Sequence, residues 1–475
     1  MPERYSLVFP SHFDNSFTGR FETKSQKVSV LASTDGAVAV ESSDDAWEWI
    51  LRIAIVLGLG LIIYSTVVGK VFNPLVRAAE NADWMHAFLR PSILWMTMGS
   101  LLLGFRTFLW FRYRPFSAAT MPDAPALTVI IPAYNEGAMV AQTIDSVAAA
   151  RYPRERLEIF VVDDGSRDDT WEHIQAAAMR HPELVTLLRF AHNRGKRAAL
   201  EAGFRRARGE VVVTIDSDSV IERNTLLAIA GPFRNPKVGA VAGKVSVYNQ
   251  RDGLIPRMLQ VRFVLSFDVL RAVQSTYGTV NCCPGALSAY RISVVREVLD
   301  QWVAQKFLGV PSTYGEDRAL TNFILARGHD TVYQRTAVVH TIVPQSYKKL
   351  CKMYLRWDRS FVREELRFAG IVWKRPLKSL MFSLVDNVIT NLRYPVGYVI
   401  FVLLIVMTLA EPKTILRVLF AIGAMSSFYM LYYLRSERSW KALYGVFYAY
   451  FSFFTLFWVF PYAVLTVRAR SWLTR

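Results

Sequence analysis

The chain has little cysteine. Only three residues in 475 are Cys: Cys282, Cys283 and Cys351. Three thiols exclude a disulfide framework, and the neighbours Cys282 and Cys283 make a poor pair, so a reduced, cytosolic setting is expected. Acid is also scarce. Against 39 Asp and Glu stand 56 Lys and Arg, a formal charge of +17. That excess suits anionic lipid, an anionic substrate or nucleic acid, and nucleic acid is set aside because no zinc-finger or nucleic-acid motif accompanies it. No apolar core appears before Trp47, which argues against a cleaved signal peptide.

Hydrophobic residues, by contrast, make up 52% of the chain and aromatics 13%. They concentrate near Ile53 to Val68, Ile93 to Trp110, Tyr394 to Leu409, Ile415 to Leu434 and Leu443 to Val467, while the middle has an ordinary mixed composition. The expected organisation is a flexible cytoplasmic tail over 1–46 and a transmembrane hairpin over 47–115. A cytoplasmic domain at 122–344 follows, then amphipathic interfacial helices at 345–378, transmembrane and interfacial helices at 379–467, and a short tail at 468–475. Arg20, Lys24, Lys27, Arg106, Arg112 and Arg114 put both ends of the first hairpin in the cytoplasm by the positive-inside rule. Asp386, Asn387 and Arg393 turn the first part of the long apolar stretch 377–409 toward protein or a watery passage. Pro461 and the basic residues Arg468, Arg470 and Arg475 favour an interfacial or re-entrant course for 443–467 over a full span.

Within the middle domain the periodicity predicts strands at 127–132, 157–162, 184–190 and 211–215. Helices are predicted at 135–150, 170–179 and 198–206. This alternation implies an α/β fold with a parallel sheet, whose ligands bind at the carboxyl ends of the strands. Those ends are acidic. The run Val211 to Ile215 stops at Asp216-Ser217-Asp218, two hard carboxylates that suit Mg²⁺ or Mn²⁺ completed by substrate phosphates, although a lone D-x-D also reads as a solvated turn. Strand 157–162 stops at Asp163-Asp164-Gly165, carboxylates able to accept from a base or ribose, or merely to cap a helix. Asn193-Arg194-Gly195-Lys196 is a basic turn before a helix, a natural pyrophosphate seat. Gly315-Glu316-Asp317 opens another helix; its carboxylates serve as dipole partners there, or as a general base if aimed into the crevice. Arg356-Trp357 lies on the basic amphipathic segment 347–367, with one side chain suited to a diphosphate and the other to a sugar face.

Taken in order, these motifs resemble the processive, inverting family-2 glycosyltransferases, the hyaluronan, chitin and cellulose synthases. Asn281 to Arg291, Phe307 to Asn322 and Arg356 to Glu364 resemble hyaluronan synthases and the chitin-oligosaccharide synthases of nodulating bacteria, and Trp472 to Arg475 resembles the ending of hyaluronan synthases. The resemblance implies a GT-A type nucleotide-sugar-binding domain inserted between transmembrane and interfacial helices of a plasma (inner) membrane protein. It implies that Asp163 and Asp164 face uridine, Lys196 its phosphates, and that Asp216 and Asp218 hold nucleotide and metal, with Asp218 the metal ligand. Glu316 borders the substrate and Asp317 is the general base. Cys283 to Leu287, with Gly285, form the loop that meets the acceptor's end. Arg356 binds the diphosphate, Trp357 stacks under the acceptor sugar, and Trp472 and Arg475 belong to a gating-like tail. The implied partners are UDP-sugar donors, a growing polysaccharide and membrane lipid. Two departures stand out: Met353 occupies a place usually polar, and Leu473 one usually glycine. The first expectation is a hyaluronan-type polymer from UDP-GlcNAc and UDP-glucuronate. The rivals are a chitin-type synthase and an inactive nucleotide-sugar-binding regulator or transporter.

Overall fold

The computed structural model describes residues 49–50, 52–58, 60, 64 and 91–469. The expected tail 1–46, most of the first hairpin helix and the terminal Trp472 and Arg475 lie outside them. From residue 91 the order is α1 (Pro91–Arg112), β1 (Leu127–Ala133), α2 (Met139–Ala148), β2 (Leu157–Asp163), α3 (Thr170–Arg180), β3 (Val185–Arg189), α4 (Lys196–Arg206), β4 (Val211–Thr214) and β5 (Ser219–Ile221). Then come α5 (Thr225–Ala230), β6 (Val238–Val247), α6 (Leu254–Phe263), α7 (Leu270–Ser275), β7 (Ser288–Arg291) and α8 (Ile292–Val303). A small hairpin of β8 (Lys306–Phe307) and β9 (Val310–Pro311) leads to α9 (Glu316–Ala326) and β10 (Asp330–Thr341). The chain ends in α10 (Tyr347–Ile371), α11 (Leu377–Ala410), α12 (Thr414–Glu437), α13 (Leu443–Thr455) and α14 (Val459–Leu465).

β1 is buried along its whole length because helices cover both faces of the sheet. Its side chains alternate between two cores. Val129 and Ile131 join Val140 and Ile144 of α2, whereas Ile130 joins Phe204 of α4. Each such aliphatic side chain contributes roughly 1.5–3 kcal/mol when removed from water. Gly203 is what lets α4 lie so close, since a Cβ there would sit 2.7 Å from Ile130.

The eight-stranded sheet has the order β3-β2-β1-β4-β7-β6-β10-β5. β1 to β4 are parallel neighbours, as the alternation predicts. The expectation of a parallel sheet needs correction beyond them: β7 runs antiparallel to β4 and β6, and β5 antiparallel to β10. The reversal has a consequence for the site. Ser288 pairs with Thr214, so the loop before β7 enters at the edge where β4 leaves. A second correction concerns α2, which begins at Met139 rather than Asn135. Asn135 and Gly137 take positive φ values of 53° and 56°, outside any right-handed helix. The Asn135 side chain instead accepts from Arg167 N at 2.9 Å.

On the membrane side, α11 and α12 are, among the described residues, the two helices long and apolar enough to cross a bilayer. α11 has 34 residues, about 51 Å at helical rise, well beyond the ~30 Å of a hydrocarbon core. Its first part packs on protein. Asp386, 1% exposed, accepts from Arg106 Nε of α1 at 2.7 Å, Tyr277 Oη at 3.1 Å and Gln274 Nε2 at 3.4 Å. Asn387 accepts from Asn281 Nδ2 at 2.8 Å. The polar residues expected to face protein or water therefore dock the helix onto the domain. The last apolar stretch is broken: 440–455 and 459–465 meet at a 51° bend.

Removing the Asp386 carboxylate leaves the Arg106 guanidinium facing Tyr277 and Gln274 without its counter-charge. Asp386→Ala should lower stability by about 3 kcal/mol and Asp386→Asn, which keeps an acceptor, by less. Thermal unfolding of the purified protein in detergent checks this ordering; equal melting temperatures for both variants and the parent would contradict it.

Candidate active site

β2 carries Asp163 to the sheet edge, where it is wholly buried. Its carboxylate accepts from Ser166 N and Arg189 Nε, both at 3.1 Å, and so braces the Gly165 turn from within. Asp164 grips the next loop. Its two oxygens accept from Arg194 N at 2.7 Å and Gly195 N at 2.8 Å, fixing the basic turn that opens α4. Burial pushes this carboxyl up, opposed by those two backbone donors. Both expected uridine-facing residues are thus buried at the end of β2 with their oxygens engaged by the protein.

Lys196, the first residue of α4, is the meeting point. Its ammonium pairs with Asp216, just past β4, and with Glu316 Oε1 at 3.1 Å. Burial alone would lower the lysine pKa, but Asp216 and Glu316 together hold it above its ordinary value, so the cation persists at every physiological pH. The loop before β7 closes over this pair. A Cβ on Gly285 would lie 2.7 Å from Lys196 Nζ and 3.3 Å from Asp216 Oδ1, so only a glycine lets the backbone approach without displacing the ammonium.

α9 begins beside that loop. Gly315, at φ 72°, turns the chain so that Glu316 and Asp317 occupy the first helical turn. Asp317 Oδ2 accepts from Gly285 N at 3.2 Å, and Cys283 N donates to Thr321 Oγ1 at 3.0 Å. The two carboxylates are neighbours with opposite tendencies. Burial raises Glu316, but Lys196 outweighs it and holds the group ionised. For Asp317, burial first and the Glu316 charge second push the carboxyl above the aspartate range. The two adjacent carboxylates thus differ in proton affinity, and of the two Asp317 binds a proton more readily. Cys282 Sγ lies 3.7 Å from Asp317 Oδ2. Burial, then the Asp317 charge, push its thiol up to about 11, so it is a protonated neighbour and not a nucleophile.

Asp218 is 4% exposed, and its Oδ1 accepts from Ser219 Oγ at 3.0 Å and Thr341 Oγ1 at 3.1 Å. Among the described residues no three His, Cys, Asp or Glu side chains cluster as a closed metal cage. Asp216 is engaged by the Lys196 ammonium and Asp218 by two hydroxyls; by donor chemistry alone the pair of carboxylates is the partial set that Mg²⁺ or Mn²⁺ takes when substrate phosphates and water complete it. Arg356 and Trp357 lie half-buried on α10. Trp357 stands edge-on to Phe267 at 6.0 Å and Tyr354 at 5.7 Å, with Phe263 tilted at 6.0 Å. Several supporting residues were not legible as such: Arg189 behind Asp163, Thr341 behind Asp218, and Arg271, whose Nε holds the Cys282 carbonyl at 3.0 Å. Each is a lone polar residue with no periodic or motif signal.

The profile of Glycosyl transferase family 2 matches residues 128–299, which hold all but the first residue of β1, then β2 through β7, and two of the three acidic motifs, Asp163-Asp164 and Asp216 to Asp218. An N-acetylglucosaminyltransferase of Rhizobium meliloti is 37% identical over 50% of this chain, a match spanning only 56% of that relative's length. A hyaluronan synthase of Streptococcus pyogenes is 35% identical over 296 residues, 60% of this chain and 70% of the relative. A mannosyltransferase from Pyrobaculum calidifontis, solved with GDP-Man and Mn²⁺, superposes with a TM-score of 0.53 over 76% of this chain and 98% of its own. At 22% identity it speaks to the fold alone. The mixed sheet is thus that of a GT-A-like enzyme, and the chain belongs to glycosyl transferase family 2.

Proposed function

We propose that the protein is a processive, inverting β-glycosyltransferase that takes UDP-sugars on the cytoplasmic side, extends a polysaccharide and passes it across the membrane. The observation that carries this reading is the convergence of Lys196, Asp216, Glu316, Asp317 and Gly285, from separate loops, on one crevice edge. In this mechanism Asp163 and Asp164 shape the uridine wall, and the donor diphosphate lies against Lys196 and Arg356. Asp216 and Asp218 would hold Mg²⁺ or Mn²⁺, which offsets charge on the departing diphosphate. The loop Cys283 to Leu287 meets the acceptor's end while Trp357 supports its sugar. Asp317 withdraws the acceptor hydroxyl proton as that oxygen attacks the anomeric carbon, and the carbon–diphosphate bond breaks with inversion. Burial and the Asp317 charge keep the Cys282 thiol protonated, which argues against it as a covalent nucleophile.

A hyaluronan-type polymer from UDP-GlcNAc and UDP-glucuronate is the first reading, supported by the longer match to the Streptococcus pyogenes enzyme. The similarity to an N-acetylglucosaminyltransferase favours a chitin-type product from UDP-GlcNAc alone as the second. Purified protein given each donor singly separates them. A requirement for both sugars, with an alternating product by mass analysis, supports the first, and elongation on UDP-GlcNAc alone replaces it with the second. Binding of UDP without release of UDP from either donor would make the protein an inactive regulator or transporter.

Asp317→Asn should keep donor affinity within about twofold and lose transfer by a factor of about 10²–10⁴, since it removes only the base. Loss of binding and transfer together would assign Asp317 to donor recognition. The pH profile follows from the raised Asp317 carboxyl. As pH falls, activity drops at a higher pH than an exposed aspartate would give, because the base is protonated earlier. Glu316→Gln removes the charge that pushes Asp317 up, so the acid limb should move to lower pH; an unmoved limb, or one shifted upward, contradicts the coupling.

A further inference from the structure

The residue after Lys196 is Arg197, buried at 8% exposure. Among the described residues its guanidinium meets no carboxylate directly. It donates to the Trp302 carbonyl and, through both terminal nitrogens, to Gln305 Oε1 at 3.1 Å. The other end of that amide, Gln305 Nε2, donates to Glu364 Oε1 at 2.7 Å. Glu364 is 1% exposed on α10, and it also accepts from Arg363 Nε and Asn322 Nδ2, each at 3.1 Å. Trp302 closes the circuit, for its indole Nε1 donates to the Glu316 carbonyl at 2.9 Å.

A single buried carboxylate therefore ties together the helix that begins with Lys196, the helix that carries Asp317, and the helix that carries Arg356 and Trp357. Burial pushes the Arg197 guanidinium down to about 10, and Glu316 and Glu364 hold against that loss. The Gln305 amide suits the relay, since its oxygen faces a cation and its nitrogen an anion; a carboxylate in its place would face Glu364, and an apolar side chain would leave both ends unmet. A buried glutamate in such a network also stabilises a fold. What sets this one apart is where its arms end, one residue from Lys196 and five from Asp317.

We infer that Glu364 is a positioning residue for sugar transfer: through Gln305 and Arg197 it fixes the start of α4, and through Asn322 it fixes α9, so that Lys196 stays on Asp216 and Glu316. The inference rests on the glycosyltransferase reading. Turnover by the parent protein tests that reading, and only the variants test Glu364.

The experiment uses full-length protein in detergent or vesicles, with initial rates of UDP release for the parent, Glu364→Gln, Gln305→Leu and the double variant. With Lys196 no longer held for the diphosphate, donor KM should rise at least about fivefold and kcat fall at least about tenfold in each single variant. The double variant should be no worse than the worse single, because both changes cut one path. Glu364→Asp should recover part of the loss. A purely fold-stabilising role lowers the amount of folded enzyme while leaving donor KM unchanged, and that result, or fully multiplicative losses in the double variant, overturns the inference. Where Glu364→Gln does not accumulate as folded protein, Gln305→Leu, which keeps the Glu364 charge, decides alone by whether its donor KM rises.

Discussion

One ammonium shared by two carboxylates holds the catalytic crevice together. Lys196 lies between Asp216, just past β4, and Glu316, in the first turn of α9, groups 100 residues apart in sequence. Without the cation, two carboxylates would face each other in a half-buried cleft and repel. With it, Glu316 stays ionised and in turn raises Asp317. Burial first and the Glu316 charge second raise Asp317, and in the proposed mechanism this one charge arrangement serves both the donor phosphates and the proton acceptor.

The sheet makes this convergence possible. Parallel β2 and β4 carry their carboxylates to one edge, and antiparallel β7 brings the Gly285 loop back to that same edge. Gly285 then seats against Lys196 while its amide reaches Asp317. Helix α10 packs on α9, and α11 is pinned to the domain by Asp386 and Asn387. The apolar helices and the catalytic domain are therefore joined through polar contacts that begin at Asn281, two residues before the loop that meets Asp317.

Much of this could be read from the chain because strands that stop at acids announce themselves. The β-branched runs ending at Asp163 and Asp216 and the Gly-Glu-Asp opening of α9 lie where their patterns put them. The basic turn at Gly195 and Lys196 does open a helix. The direction of β7 was not legible: Ser288 to Arg291 is four residues long with neither a turn signal nor alternation to orient it. The start of α2 was misread because Asn135 is held in a left-handed conformation by contact with a loop 32 residues away. Lys196 reads as a phosphate ligand, yet its carboxylate partners are set by tertiary approach. Gln305 carries no local pattern, and Glu364, though it ends the Arg356 to Glu364 stretch, gives no sign there of its partner; their pairing across 59 positions exists only once the end of α8 packs against α10.

The central claim is that the Lys196 ammonium is the cation a donor diphosphate would meet. Calorimetric titration of UDP, in the presence of Mg²⁺ or Mn²⁺, into the parent protein and into Lys196→Met tests it most directly. Removing the ammonium deletes a charge-assisted contact and leaves Asp216 and Glu316 to repel the anion, so Kd should weaken at least tenfold, about 1.4 kcal/mol. An unchanged Kd in a folded Lys196→Met protein would contradict the account.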